Sequence, residues 1–538
     1  MTTQTAVELE TIELAPSSAN HHYVIPPPRK SFEPQVVNTP PTELVAESAI
    51  TTTVLSKIRA AIVITQLMGL TLFNSFSNGV VVVGLPAIAS TLQLDEGLLL
   101  WPTSVFYLTA GSCLLMAGSI ADVAGPKRVN LVGSFLAAVF TLGCGLARTG
   151  GQIIAFRALQ GVTNAVVVPS SISIVSNSIE DGRARNMGFA CLGFAAPTGF
   201  SLGLVLGGVL VDSTGWEPAF YLAGAASFVL FLIGIWALPQ DPRSGSACEI
   251  WKRLTSEIDW VGAVVASTGL ATLSYVFATL SADIDNIREG SNIGLLVISA
   301  VSIPAFIGWM HYRVKHNRTA LIPNSLWRNY VFTSSCIMVL FSTSVTNCME
   351  LFSSLFFQEV QGNTALGASL RILPSLIAGA LTNLSTGVFV NRVPVMWTVF
   401  ISSALSAVAP LLMALVKPEW PYWYDSFFAQ ILAPLSCDIL FTVGLLVVSD
   451  VFPKHMQALS GAVFNTCAQL GTAIGLAVTS VISASATDGS HYADKASPGA
   501  LIVGYRAVFW TMFAWMLFVC VVCVFGLRRI GVIGVKRD

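Results

Sequence analysis

Residues 117–128 read AGSIADVAGPKR, and the way this stretch is read decides how the chain around it folds. An aspartate, a lysine and an arginine, with a proline and two glycines, separate two apolar runs of about 20 residues, the length a helix needs to cross a hydrocarbon core of roughly 30 Å. Charge placed between two such runs marks a loop at a membrane surface. Composition agrees: 54% of the 538 residues are hydrophobic and 11% are charged, against about a quarter charged in a soluble domain. The chain is therefore read as an all-α polytopic membrane protein.

Working outward from that loop, apolar runs recur near 60–89, 99–119, 129–147, 151–177, 187–211, 218–238, 259–280, 292–311, 329–357, 365–390, 395–416, 427–450, 457–484 and 504–526. Fourteen spans are expected. Before them, residues 1–56 are polar and Pro-rich and lack the early apolar run of a secretory signal, which predicts a disordered cytoplasmic tail. An N-terminus in the cytoplasm puts 21 Lys and Arg into cytoplasmic segments and five into outer ones, which are acidic. That asymmetry fits an even span count with both termini inside. The expected organisation is a tail (1–56), a six-helix bundle (57–240), a linker with two inserted helices (241–328), a second six-helix bundle (329–526) and a short cytoplasmic tail (527–538).

The two bundles look related. SIVSNSIEDGRARNMGFACLG from Ser173 has a counterpart in LLVVSDVFPKHMQALSGAVFN from Leu445, and internal repetition of this kind marks transporters with a substrate site between the repeats. Other classes find no support. There is no basic domain for nucleic acid, and no nucleotide loop, metal cluster or nucleophile triad for an enzyme. Cysteines such as Cys113, Cys144, Cys336 and Cys523 fall inside apolar runs without zinc-type spacing and read as small buried hydrophobes. No cofactor or metal is expected.

The opening stretch resembles the loop signature of the major facilitator superfamily. Gly118, Asp122, Gly125 and Lys127 match that pattern, both of its arginine positions are lost, and Arg128 follows at once. A physical role is available: Asp122, beside a tight glycine turn, can pair with basic residues or a helix N-terminus on the neighbouring bundle and hold an inner gate shut. The plainer alternative is a solvated positive-inside loop. The corresponding loop of the second bundle, STGVFVNRVPV, has Asn391 in place of the acid and Arg392 after it, so an asymmetric latch is expected.

Three further segments extend the resemblance. FRALQGVTNAVVVPSS matches the family's Arg-x-x-Gln-Gly pattern with Arg157, Gln160 and Gly161; a cation there must face a partner or a cavity, or snorkel to the headgroups. In GFAAPTGFSLGLVLGGVLVD, Gly199, Gly203 and Gly207 recur every four residues with Gly208 beside them. This is similar to the antiporter signature but has Leu204 at its proline, and close helix packing explains the glycines as well. The inserted pair of spans, with IDWVGA (258–263) and LIPNSLW (321–327), resembles the fourteen-span drug:proton antiporters, nearest to fungal multidrug, aminotriazole-resistance-like and secondary-metabolite efflux pumps.

One position departs from that family. The end of the first span, FSNGVVVVGLP (76–86), carries Ser77 where the pattern has an acid, with Asn78 beside it. Proton antiport needs a carboxylate whose protonation exchanges with substrate occupancy, and the intramembrane acids available are Glu350 and Asp438. A structural ion pair, such as Glu350 with Arg371, is the alternative for them. Asn74, Asn78, Asn164, Asn347, Asn383, Asn465 and Gln469 are amides within spans that could line a cavity or join helices. The sequon at Asn317 falls in a predicted cytoplasmic loop and should carry no glycan.

The resemblance implies a monomeric exporter of small amphipathic organic compounds, coupled to protons and embedded in the lipid bilayer. The plasma membrane is the expected location and the vacuolar membrane the alternative. Two other readings stay open: a carrier of basic amino acids or another metabolite and, from a different class, a transport-inactive sensor or receptor.

Overall fold

The computed structural model describes residues 56–528 except 95–97, 180–182, 241–251, 256–257, 390–392 and the single positions 283, 317, 319, 320, 323, 325 and 453. The expected N-terminal tail up to residue 55, Asn391, Arg392, Asn317, the last ten residues and the side chain of Asp122 lie outside the described residues.

In hydrocarbon no water is available for backbone N–H and C=O groups, so each span must satisfy its own, and a helix does so within one segment. The first bundle holds α1 (Lys57–Leu92), α2 (Trp101–Ala124), α3 (Pro126–Leu146), α4 (Gly150–Ser178), α5 (Arg183–Ser213) and α6 (Glu217–Ala237). Two inserted helices follow, α7 (Trp260–Ala282) and α8 (Gly290–Lys315). The second bundle holds α9 (Tyr330–Leu355), α10 (Ala365–Phe389), α11 (Val395–Leu415), α12 (Ser426–Leu432), α13 (Leu435–Val451), α14 (Lys454–Asp488) and α15 (Pro498–Leu527). Thirteen stretches of these are long and apolar enough to cross a membrane, and the 24-residue α2 packs among them.

Local chemistry explains the boundaries. Ser56 and Thr149 cap α1 and α4 through their hydroxyls, and Asn329 accepts from two backbone N–H groups at the start of α9. At the opening loop, Gly125 joins α2 to α3 with φ +99°, a conformation that side chains disfavour, and Pro126 starts α3 where no N–H is needed. The span expected over 427–450 is present and is broken inside into two helices, α12 and α13. Pro434 lies between them and can neither donate to the ladder nor clear the preceding turn. Beside the break, the Ala433 carbonyl accepts from the Ser406 hydroxyl at 2.7 Å. Beyond Leu355, α9 continues as a π-helical turn, Phe356–Val360.

Glycine-lined seams hold helices together in each bundle, and one recurs in both. A Cβ on Gly199 or Gly203 would stand 2.1 Å from the carbonyl oxygen of Leu72 or Phe76, so α5 lies backbone to backbone on α1. Across the repeat, Gly471 meets the Leu340 carbonyl and Gly475 the side chain and Cα of Ser344, so α14 lies close on α9. These glycines stand 272 residues beyond their counterparts, the offset between the segments at Ser173 and Leu445. Gly207 continues the α1 contact at Val80, whereas Gly208 faces Leu366 and Ser369 of α10 in the other bundle. The bundles meet along α5/α10 and α2/α14, and α7 packs beside both α2 and α14.

Replacing Gly203 with valine is therefore expected to push α1 and α5 apart and to lower stability by about 3 kcal/mol. Gly193→Ala, where the added carbon meets nothing within 4 Å, should leave it unchanged. Thermal melting of the two variants in detergent checks the contrast, and equal melting temperatures would contradict the packing argument.

Candidate functional site

Arg157 of α4 is fully buried. Its Nε donates to the Pro102 carbonyl at 2.9 Å, one terminal nitrogen to Gln160 Oε1 at 2.7 Å and the other to Asn78 Oδ1 at 2.6 Å. The Phe106 ring covers the guanidinium at 4.5 Å. Gln160 in turn donates to Ser77 Oγ at 3.0 Å and Thr141 Oγ1 at 2.9 Å. The cation is thus held by neutral acceptors, each charge-assisted bond contributing about 2 kcal/mol against its desolvation. Ser77, which stands where the resemblance would put an acid, and Asn78 beside it complete this network. Snorkelling to the headgroups, the alternative for Arg157, does not occur.

The two intramembrane acids sit on the second bundle. Asp438 occupies the first turn of α13, where the helix break leaves backbone N–H groups and the dipole favours negative charge. Asn383 of α10 donates to its Oδ1 at 3.0 Å, and Thr442 donates to Asn383 Oδ1 at 3.3 Å. Gly379 leaves the room: a Cβ there would stand 2.6 Å from Asp438 Oδ2. Glu350, half-buried on α9, makes no hydrogen bond or ion pair among the described residues. It interacts electrostatically with Asp438 and, in the other bundle, with Tyr107 of α2, which also feels the Arg157 guanidinium. The pairing of Glu350 with Arg371 is not formed; the Arg371 guanidinium stacks on Phe357 and Tyr422 at 5.6 and 5.9 Å.

The bundles are tied together at the end where α1 and α5 finish. Ser354 and Gln358 donate to the carbonyls of Val82 and Val83 at 3.1 Å, and Ser369 donates to that of Leu204 at 2.8 Å. Asp212, at the end of α5, accepts from the first free N–H groups of α10, those of Ala365 at 3.1 Å and Leu366 at 3.0 Å. A carboxylate on a helix N-terminus thus closes this end from one bundle to the other. At the opposite end, Lys127 of the opening loop donates to the Leu238 carbonyl at 2.7 Å and Arg59 to that of Ala237 at 3.1 Å, so both cap α6. Gly118 has only Pro169 near it, and Arg128 is exposed.

The amides divide by role. Asn74 bonds to Asn164 between α1 and α4, beside a void of about 20 Å³. Asn347 ties α9 to Thr472 of α14 at 3.2 Å and so acts as a packing residue. Asn465 and Gln469 are half-buried on α14, with Gln469 against Gly111 of α2. The sequence reading missed Asp212, Tyr107 and Asp259. Asp259, in IDWVGA, caps α7 at the Gly262 N–H (3.0 Å), accepts from Trp309 Nε1 (2.9 Å) and pairs with Arg313 (3.8 Å) of α8. An acid immediately before an apolar run is the signal that identifies such a cap.

With this geometry in place, comparison with known proteins is informative. The profile described as Major Facilitator Superfamily matches residues 67–476 and 368–532. MFS-type transporter 1 of Pyricularia oryzae is 39% identical over 525 residues, covering 89% of this chain and 85% of that protein. Two Saccharomyces cerevisiae proteins follow: the low affinity ammonium transporter, 27% identical over 73% of this chain and 76% of its own, and the aminotriazole resistance protein, 25% identical over 76% and 72%. Among solved structures, an inward-facing bacterial homologue of the human lysosomal transporter Spinster shares the fold at a TM-score of 0.62 and 13% identity, with 88% of this chain and 98% of that one covered.

Two outcomes are expected of this site. Asn78→Leu should leave one guanidinium nitrogen without an acceptor and lower stability by about 2 kcal/mol, whereas Asn78→Asp should not; thermal melting of both decides it. Asp212→Ala should loosen the closed end. A cysteine at position 369, in a background without native cysteines, should then react about fivefold faster with a membrane-impermeant maleimide, the population shift that about 1 kcal/mol produces. An unchanged rate would mean that Asp212 does not hold this end.

Proposed function

The chain belongs to the major facilitator superfamily, and from that premise we propose that it is a secondary active exporter of small amphipathic organic compounds, driven by proton antiport through alternating access. The observation that carries the proposal is the pair of intramembrane carboxylates, Glu350 and Asp438, neither of them ion-paired among the described residues. An acid inside a span without a salt bridge is a functional group by default, and here it lies on one bundle and within Coulombic range of a tyrosine on the other. The name of the aminotriazole resistance protein supports export, while that of the ammonium transporter favours a carrier of a small metabolite.

In the proposed arrangement the bundles span 57–240 and 329–526, the linker 241–328 holds the inserted helices, and counting α2 gives fourteen spans with both termini in the cytoplasm. The end closed by Asp212, Ser354 and Gln358 is then the outer one, and the molecule faces inward. Opening it requires Ala365 and Leu366 to exchange a carboxylate for water, a small and reversible cost. Closure of the opposite end falls to the loop around Asp122, Lys127 and Arg128 and to its counterpart at Asn391 and Arg392. The plasma membrane is the proposed location.

The reading is tested by flux of a panel of amphipathic compounds in proteoliposomes under an imposed pH gradient. Uptake that follows the gradient in the parent and stops in Glu350→Gln, in Asp438→Asn or in both is the expected result. Flux indifferent to the gradient would sink antiport, and binding without any flux would favour a sensor.

A further inference from the structure

A cavity of about 150 Å³ lies where α2 of the first bundle, α14 of the second and the inserted α7 meet. Its origin is local. Ala473 and Ala477 of α14 and Ala271 of α7 are too short to fill the space beside α2, and α7 is fixed there by Ser267, which donates to the Ser112 carbonyl of α2 at 3.1 Å. From α2 the cavity takes Trp101, Ser104 and Leu108, which recur on one helical face. Phe106, which covers Arg157, belongs to another face. Neither Arg157 nor either intramembrane acid lines the cavity.

The lining carries no charge, so an ionised ligand would lose its water there without gaining a partner. Two polar groups are nonetheless left over. Trp101 Nε1 is buried with no acceptor among the described residues, and the Ser480 hydroxyl makes no hydrogen bond among them. A buried donor without an acceptor is a standing cost that an incoming oxygen removes. Access is lateral: the Tyr275 ring, edge to face with Trp101 at 6.0 Å, is 48% exposed on the flank that hydrocarbon covers. Trp101 is also the first residue of α2, which sets its N–H near the interface, where tryptophan commonly stands. The alanine wall is smooth. A flexible acyl chain surrenders rotational freedom to lie along it, whereas a fused ring system has none to lose.

We infer that this cavity is a binding site for a membrane sterol, whose rings lie against Ala271, Ala473 and Ala477 and whose hydroxyl oxygen accepts from Trp101 Nε1. The occupant touches both bundles and the inserted helix at the end that Asp212 closes. Because α2 and α14 belong to different bundles, a ligand that needs both of them stabilises the closed end by its own binding free energy and opposes opening. The inserted α7 supplies the third wall. The inference is independent of which compound is carried and of proton coupling, so failure of the antiport reading leaves it standing.

The test is photolabelling of the full-length protein in phosphatidylcholine nanodiscs with a photoreactive cholesterol analogue, the labelled peptides being mapped by mass spectrometry. Label should fall on α2, α7 and α14. Cholesterol should displace it about fivefold better than 5α-cholestane, which keeps the rings and lacks the hydroxyl; that ratio is what one neutral hydrogen bond produces. Trp101→Phe keeps a ring, removes the N–H and should erase the fivefold difference, while Ala473→Phe should fill the cavity and abolish labelling. In the background without native cysteines, cholesterol should slow maleimide reaction at a cysteine in position 369 about threefold, and Ala473→Phe should remove that effect. Melting temperatures confirm that each variant is folded, and Ala477→Leu replaces Ala473→Phe if it is not. Labelling elsewhere, labelling that survives the filled cavity, or a hydroxyl preference that survives Trp101→Phe would each overturn the site. Displacement by diacylglycerol as readily as by cholesterol would assign the cavity to glycerolipid chains and overturn it too, and an unchanged rate at position 369 would overturn the role in closure.

Discussion

The hydrocarbon core supplies no hydrogen bonds, and the interior of this protein is arranged around that lack. Arg157 shows the constraint most sharply. A guanidinium cannot give up its charge, so once it is placed inside α4 every neighbour must serve it: the Pro102 carbonyl, the amides of Gln160 and Asn78, and the face of Phe106. Gln160 then carries the network on to Ser77 and Thr141. Four helices, α1 to α4, are thereby joined around one side chain, and the same commitment leaves Glu350 and Asp438 without a basic partner in the other bundle.

Closure between the halves uses weaker devices. Hydroxyl and amide donors on α9 and α10 reach carbonyls of α1 and α5, and Asp212 stands on the N-terminus of α10. Each of these partners can be replaced by water. The contacts within a bundle are of another kind, because Gly199 and Gly203 on α1, like Gly471 and Gly475 on α9, allow backbones to touch and leave no space for solvent. Rigid halves joined by exchangeable polar contacts are what a rocking motion requires. The inserted α7 packs against both halves, tied to α8 by the Asp259 clasp.

Much of this was legible in the chain. The apolar runs, the positive loops and the four-residue glycine spacing each report a local requirement of the bilayer or of helix packing, and the repeat between the segments at Ser173 and Leu445 reappears in three dimensions as the matched seams of α5 on α1 and α14 on α9. Other features were not. The break at Pro434 inside the span over 427–450 was not legible, since hydropathy averages over it. Asn347 could line a cavity or join helices; which of the two an amide does depends on the helix opposite, here α14 with Thr472. Asp212 was one acid among many in the outer loops until the start of α10 was placed against it.

The sequence by itself determined that this is a helical membrane protein of two related halves, because crossing a bilayer imposes length, apolarity and charge asymmetry on every segment separately. Only the tertiary structure decided which charges meet. The guanidinium of Arg157 is satisfied by residues 55 and 79 positions away, and Glu350 loses the partner it was offered because Arg371 turns to Phe357 and Tyr422 instead. Such pairings depend on helix rotation and proximity, which no single segment encodes.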